Sequence, residues 1–338
     1  IWDHIKNSGE HPTSAHWGLE TVGMIPGKRG SRRLVGDHVL TQMDLEGRNG
    51  GFEDAVSIGG WNLDDHPPGG FSDSHLKPFT SIRLPDVYNI PLRALYSRNI
   101  RNLFMAGRNI SATHVAFTST RVMATCACAG QAAGTAAALC VRHRIDPRQL
   151  YEDKARLKEL QQTLLRDDQT IKGLRAEDPL DVARKATLRF SAAEGDSEPE
   201  VLLNGYSRNV PGGEDNAWSA KLGAGGAWVE LSWPEPQRLG RVQITFDTGF
   251  QRELTLTSQD SLNRHMIRAP QPETIRDYDL VAVDATGREV ILATVRGNHL
   301  RLRRHDFEPV EARRVRLTVL ATNGADLARV FEIHCLTH

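Results

Sequence analysis

The sequence predicts two regions of different class, an α+β region over residues 1–175 and an all-β antiparallel sandwich over 182–338. Three observations carry this. The run "CACAGQAAGTAAAL" (126–139) is made almost wholly of small residues, as a closely packed helix requires. Leucines then recur at helical spacing, at Leu150, Leu157, Leu160 and Leu164, up to Gly173. Beyond about Asp181 no strongly periodic helix returns. Instead "WVELSW" (228–233), "RVQITF" (241–246), "REVILATV" (288–295) and "RVRLTVL" (314–320) alternate with a period near two between Gly, Pro and Asp turns, which is the pattern of antiparallel strands. The boundary falls within "AEDPLDVARKATLRF" (176–190).

Composition narrows the function. A chain of 338 residues is long enough for two domains, and 42 basic residues balance 42 acidic ones. That balance argues against nucleic acid as a partner. No uninterrupted apolar run reaches the ~20 residues that span a bilayer, so no membrane partner is expected. The cysteines, Cys126, Cys128, Cys140 and Cys335, read as small core fillers, because residues two apart on a helix point in different directions. No zinc spacing is present, and no metal is expected. The chain opens at Ile1 without an initiator methionine and reads as the interior of a longer protein.

Taken in order, residues 1–100 mix short strands, Gly/Pro turns and one helix near 37–45, with "HPPGG" (66–70) as a loop. Leu103 to Met105 reads as a buried strand, and Ala106 and Gly107 allow a tight turn after it. The small-residue helix is expected to start near Ser119, with Thr118 and Ser119 as capping hydroxyls. Its free amides and positive dipole end would favour a negative group in front of it. Gly130 and Gly134 lie four apart, so one helix face can be approached closely by another backbone. Farther on, Asp146 suits a helix N-cap and Pro147 the first helical position.

Several polar clusters bear on chemistry. The loop "GRNISATH" offers backbone amides with Arg108, Asn109, Ser111 and His114 beside a helix start, which suits an anionic or electron-accepting ligand. "PGKRGSRRLVGDH" concentrates Lys28, Arg29, Arg32 and Arg33. It is either a solvated basic loop or a carboxylate-holding one. Asp64 and His66 fall on one side of an extended segment, so that the carboxylate can orient the imidazole as a base. Alternatively Asp64 caps a turn and His66 is a hydrogen-bonding core residue. Histidine's ordinary pKa of about 6.5 lets His114 take a proton near neutral pH, or it only holds a ligand or its own loop.

The stretch "NLFMAGRNISATHVAFTSTRVMATCACAGQAAGTAAAL" (102–139) closely resembles the C-terminal flavin-binding segment of the bacterial FAD-dependent oxidoreductase family often found beside polysaccharide-degrading enzymes. The likeness extends through "IPGKRGSRRLVGDHVLTQMD" (25–44), "GGWNLDDHPPGG" (59–70) and "LQQTLLRDDQTI" (160–171), about the first 173 residues. It implies a flavoprotein-type substrate and FAD-capping domain, with FAD as cofactor and a carbohydrate or related hydroxylated substrate. Ala106, Gly107, Arg108, Asn109, Ser111, Ser119, Arg121 and Val122 would contact the flavin. His114, His66, Asp64, Arg32 and Arg33 would serve catalysis. The family's Gly-rich pyrophosphate cradle does not occur, and "GAGG" (223–226) lacks a following helix, so a missing N-terminal dinucleotide-binding portion is expected as a partner.

The sandwich, through "AWSAKLGAGGAWVELSWPEPQRLGRVQITFD" and "RRVRLTVLATNGADLARVFEIHCL", resembles the discoidin or coagulation factor 5/8 C-terminal jelly-roll family. Many of its members bind sugars. Trp218, Trp228 and Trp233 read as core, and Arg301, Arg303, Arg304, Arg313, Arg314 and Arg316 as solvated strand faces. Together the resemblances imply the C-terminal part of an oxidoreductase that moves a hydride from a sugar hydroxyl to flavin, in a periplasmic or extracellular setting. The alternatives are a non-catalytic carbohydrate-binding protein and a flavin-assisted elimination or isomerisation.

Overall fold

The computed structural model describes all residues except 25–29, 31, 195–197, 210–214, 253, 255, 256, 258 and 338. Lys28 and Arg29 therefore lie outside the described residues. The chain divides into two compact units, Ile1–Arg32 and Arg33–His338. The first consists of helix α1 (Trp2–Asn7) and a 3-10 turn at Pro12–Ser14. Lys6 holds it together by donating to the carbonyls of Ser14, Ala15 and Trp17 at 2.9–3.1 Å.

The second unit contains two hydrophobic cores, one drawn from residues 40–176 and one from 182–335. Around the first core lie α2 (Gln42–Leu45), the hairpin-like pairs β1 (Ala55–Gly59) with β4 (Tyr88–Pro91) and β2 (Leu63–Asp65) with β3 (Thr80–Ile82), and four helices. These helices are α3 (His114–Thr120), α4 (Met123–His143), α5 (Pro147–Glu152) and α6 (Lys154–Arg166). As expected, Asp146 caps α5 and Pro147 opens it. The leucine series divides because Asp153 ends α5 and caps α6, accepting from the amides of Ala155 and Arg156. It stops at Arg166 rather than Gly173.

Three local expectations are corrected. The helix near 37–45 is confined to α2, because Leu40 is drawn into an extended bridge with Ala112 and Thr41 caps the helix through a reciprocal box with Asp44. Residues 103–105 form no strand: Phe104 makes only an isolated bridge to Tyr96. The helix does not start near Ser119. Thr113 takes the extended N-cap conformation and its hydroxyl accepts from the amide of Ala116, so α3 begins at His114 and the chain breaks again at Arg121 and Val122 before α4. Thr118 is thereby inside α3, where its hydroxyl bonds back to the carbonyl of Val115.

Helix α4 packs Ala129, Ala132, Ala136 and Leu139 into the first core, where small side chains permit close approach to β1 and α6. By length and composition α4 is also apolar enough to cross a membrane, contrary to the reading of the sequence. Its Gly, Thr and Gln interrupt any continuous apolar run, yet no charge occurs before Arg142. One side of it is nevertheless built into the core.

The second core is closed by strands β5 (Thr187–Phe190), β6 (Trp218–Lys221), β7 (Ala227–Phe246), β8 (Ile275–Val283), β9 (Glu289–Val295), β10 (Leu302–Thr322) and β11 (Leu327–Thr337), with helix α7 (Asp260–His265) preceding β8. All pair antiparallel. The segments read as separate strands at 228–233 and 241–246 are one strand, β7. Its first half pairs with β5 and the end of β10, and its second half with β11 and the start of β10. Register shifts between Asp306 and Val310 and between Ala312 and Arg314 let β10 turn the same corner, so two long strands pass from one layer of the sandwich into the other. Alternate residues, such as Val229, Leu231, Val242, Ile244, Val315 and Leu317, fill the space between. Trp218 and Trp233 are buried there, with their indole N–H groups donating to the carbonyls of Ala192 and Val182. Trp228 is only half-buried and lies under Arg316. The "GAGG" segment is the turn into β7, and all four cysteines are free thiols.

Arg301 does not lie on a solvated face, whereas Arg304 is exposed as expected but is engaged by a carboxylate. Arg301 pairs with Asp168 at 2.6 Å, Arg304 binds Asp167, and Gln243 donates to the carbonyl of Arg166 at 2.9 Å. The outer face of the sandwich thus grips the end of α6. Arg316 likewise holds the buried Glu230 carboxylate at 2.9 Å.

Candidate active site

Strand β2 sets the geometry. Successive side chains of a strand point to opposite sides, and the pairing of Asp64 with Ser81 and Asp65 with Thr80 fixes which side each takes. Asp64 faces Arg121, which donates to its carboxylate at 3.1 Å and to its carbonyl at 2.9 Å. Asp65 faces α3, where its Oδ1 lies 3.0 Å from Nε2 of His114. The sequence suggested Asp64 as the orienting group of His66, and this is corrected. His66 donates from Nδ1 to the carbonyl of Pro78 at 2.9 Å, and its Nε2 stands 3.8 Å from Asp64, beyond hydrogen-bond reach.

Asp65 was not singled out from the sequence. The adjacent pair in "LDDH" (63–66) carries the signal, since one of two neighbouring strand carboxylates must face the other way.

The His114–Asp65 pair is open to solvent, with side chains 59% and 46% exposed. A carboxylate at Nε2 holds that nitrogen as the donor and leaves Nδ1 as the acceptor of a further proton. Beside it lies Phe117, 6.3 Å from the imidazole between ring centroids. The guanidinium groups of Arg33 and Arg108 lie 5.1 Å and 4.9 Å from the same ring. Arg33 is further fixed by donating to the carbonyl of Ala112 at 2.8 Å. Arg32 ends the other compact unit, where it is exposed.

The loop before α3 is half-buried at Ala106, Gly107 and Arg108 and exposed at Asn109, whose carbonyl accepts from the amide of Leu34. Gly107 has a φ of 90°, a conformation that favours glycine. Ser111 is buried, and its hydroxyl has no hydrogen-bond partner among the described residues. Ser119 is engaged within the protein: its hydroxyl lies 2.7 Å from that of Tyr88 and donates to the carbonyl of Trp61. Burial pushes the Tyr88 phenol up to about 12, so it remains protonated. Val122 occupies the N-cap of α4 without a side-chain cap, no acid stands in the first turn, and Met123 is 86% exposed. The first amides of a 21-residue helix therefore point outward with the positive end of its dipole.

A histidine held by a carboxylate, a glycine-bearing loop and an uncapped helix start stand close together in the sequence between residues 107 and 123, with the carboxylate on the partner strand. Residues 5–164 match the model of the FAD dependent oxidoreductase family, slightly under half of the chain. What this part of the protein matches is that family's model, and the family implies a flavin cofactor. Residues 181–253 match a domain of unknown function, DUF7402. Comparison with curated proteins gives no match.

Among solved structures, the family 32 carbohydrate-binding module of Streptococcus pneumoniae EndoD is similar at 21% identity, over 47% of this chain and 99% of that one, with a TM-score of 0.35. The family 32 module of C. perfringens NanJ in complex with galactose is similar at 16% identity, over 46% and 97%, with a TM-score of 0.33.

The uncapped α4 terminus fits the ring end of a flavin, whereas Ser111, 1% exposed, lies in the interior beside Gly36. Among the described residues all named strand pairs are antiparallel, so there is no parallel βαβ unit to cradle a pyrophosphate.

Proposed function

We propose that the protein oxidises a hydroxyl group of a carbohydrate or related substrate, with FAD as hydride acceptor. The observation that carries this reading is the solvent-open His114–Asp65 pair, 3.0 Å apart, at the start of α3. When bound, FAD supplies an acceptor for the hydride that leaves the carbinol carbon.

The remaining work falls to the chain. His114 receives the hydroxyl proton at Nδ1, and the imidazolium so formed is stabilised across Nε2 by Asp65. Arg121 keeps the neighbouring Asp64 carboxylate occupied, so that only one carboxylate serves the base. Arg33 and Arg108, fixed against Phe117, would orient substrate oxygens. The open start of α4, with Gly107, Asn109 and Val122 nearby in sequence, would face the pyrimidine edge of the flavin, where negative charge develops. The ADP half requires a dinucleotide-binding portion supplied from outside these residues. A polysaccharide-derived substrate fits a periplasmic or extracellular setting.

The test is anaerobic reduction of the flavin-loaded full-length protein by a panel of aldoses and their glycosides. Bleaching of the flavin absorbance with formation of an equal amount of oxidised sugar supports the reading. Sugar turnover with a fully oxidised flavin and no net electron transfer would refute it.

A further inference from the structure

A cavity of about 710 Å³ lies between the residues after α6 and the loops and outer face of the sandwich, and it shares no residue with the His114 site. Its volume is in the range that holds a small organic ligand. Nearly every charge on its wall is already matched. Arg329 forks onto Asp215 at 2.7 Å and Asp247 at 2.8 Å, Arg252 holds Glu273, and Lys172 meets Asp86 at 2.7 Å.

Two groups are left over, and their needs are opposite. Arg208 has no hydrogen bond or ion pair among the described residues; its guanidinium lies 4.7 Å from the centroid of Phe250. Arg301 lies 4.6 Å from the same ring, and its own charge is already taken by Asp168. Burial, and then this neighbouring cation, lower the affinity of Arg208 for its proton, yet a guanidinium remains charged near neutral pH. It is a half-buried cation that no carboxylate pairs with among the described residues.

The second group is Glu332 on β11, which is 3% exposed. Its Oε2 is 3.0 Å from His334, but its Oε1 is buried without any donor among the described residues. An ionised carboxylate can only accept, so this oxygen calls for an O–H or N–H group. Arg208 and Glu332 make no ion pair with each other that would satisfy both.

We propose that this cavity binds a small hydroxylated carboxylate of the sugar-acid class, with its carboxylate on Arg208 and a hydroxyl donating to Glu332. A neutral sugar would leave Arg208 unmatched. A bare anion would leave Glu332 unmatched and add a like charge beside it. The inference stands independently of the flavin chemistry, because no residue of the cavity takes part in it.

Isothermal titration of the full chain with glucuronate, galacturonate, glucose, acetate and inorganic phosphate tests it. A hexuronate should bind about tenfold or more tightly than glucose, acetate or phosphate, as expected for adding one charge-assisted pair to a hydroxyl contact. Arg208→Gln should weaken uronate binding by about tenfold or more while leaving the circular dichroism spectrum unchanged. Should that variant not fold, the comparison of ligands on the unaltered chain decides alone. Equal binding of glucose and uronate, equal binding of phosphate and uronate, or no uronate binding at millimolar concentration would each overturn the proposal.

Discussion

The helical region and the sandwich treat charge in opposite ways. In the sandwich, paired charges are buried: Glu230 is 1% exposed against Arg316, and His334 lies between Asp181 at 2.7 Å and Glu332 at 3.0 Å. In the helical region the corresponding pair, His114 and Asp65, stands open on short elements. Long strands that cross-brace each other can hold ion pairs away from solvent, although one oxygen of Glu230 and one of Glu332 stay without a hydrogen-bond donor among the described residues. A two-strand ribbon against the first turn of a helix leaves its histidine–carboxylate pair open to solvent. The difference separates charge used for architecture from charge held ready for chemistry.

The largest effect should come from emptying the sandwich. Trp218 is wholly buried and also bonds Ala192, so Trp218→Ala should cost about 3–5 kcal/mol. Thermal denaturation followed by tryptophan fluorescence would show this. Retention of the wild-type transition would mean that the two layers do not depend on their shared core.

Next, Arg301→Ala removes the partner of Asp168 and loosens the grip of the sandwich on α6. A loss of about 1–3 kcal/mol is expected, with two resolved transitions in calorimetry where the intact chain couples its two cores. An unchanged single transition would count against this clasp as the coupling element.

The buried histidine gives a pH signature. Burial opposes the charge on His334, but Glu332 and Asp181 outweigh it and hold its pKa up to about 10, above the ordinary value of 6.5. The folded-state pKa is raised, so the stabilisation is fully present below pH 6.5 and is lost as pH rises toward about 10, by at most roughly 1.4 kcal/mol per unit. Urea unfolding at pH 6, 8 and 10 should show this decline in the intact chain and not in His334→Gln. A flat profile in the intact chain would remove the contrast between a clasped and an open histidine.

A smaller effect should follow Asp65→Asn, which preserves shape but holds imidazolium less well. Flavin reduction should slow by about tenfold with flavin affinity unchanged. The corresponding change at Asp64, bound to Arg121, should act on stability instead.

Much of this architecture was legible in the sequence. Asp146 and Pro147 announce α5 because capping chemistry is local, and Leu150, Leu157, Leu160 and Leu164 reveal their buried side by spacing alone. What escaped depended on distant partners or on choices between equal local signals. Thr113, Thr118 and Ser119 can all cap a helix; only the pairing of residue 40 with residue 112 places the extended N-cap at Thr113. Asp64 and Asp65 are identical in kind, and the register with β3 separates their roles. Arg301 meets a carboxylate 133 residues earlier, which no strand periodicity can announce. Strand β7 looked like two because Pro234 and Pro236 mark its corner as a turn would.

The most direct test of the central claim is the anaerobic stopped-flow rate of flavin reduction in the flavin-saturated full-length protein carrying His114→Gln. If His114 is the base, reduction should slow by roughly 10²-fold or more while the bound flavin keeps a near-normal spectrum, and the acid limb of the pH profile should disappear. Reduction within a few-fold of the unaltered enzyme, or a loss explained wholly by weakened flavin binding, would contradict the account.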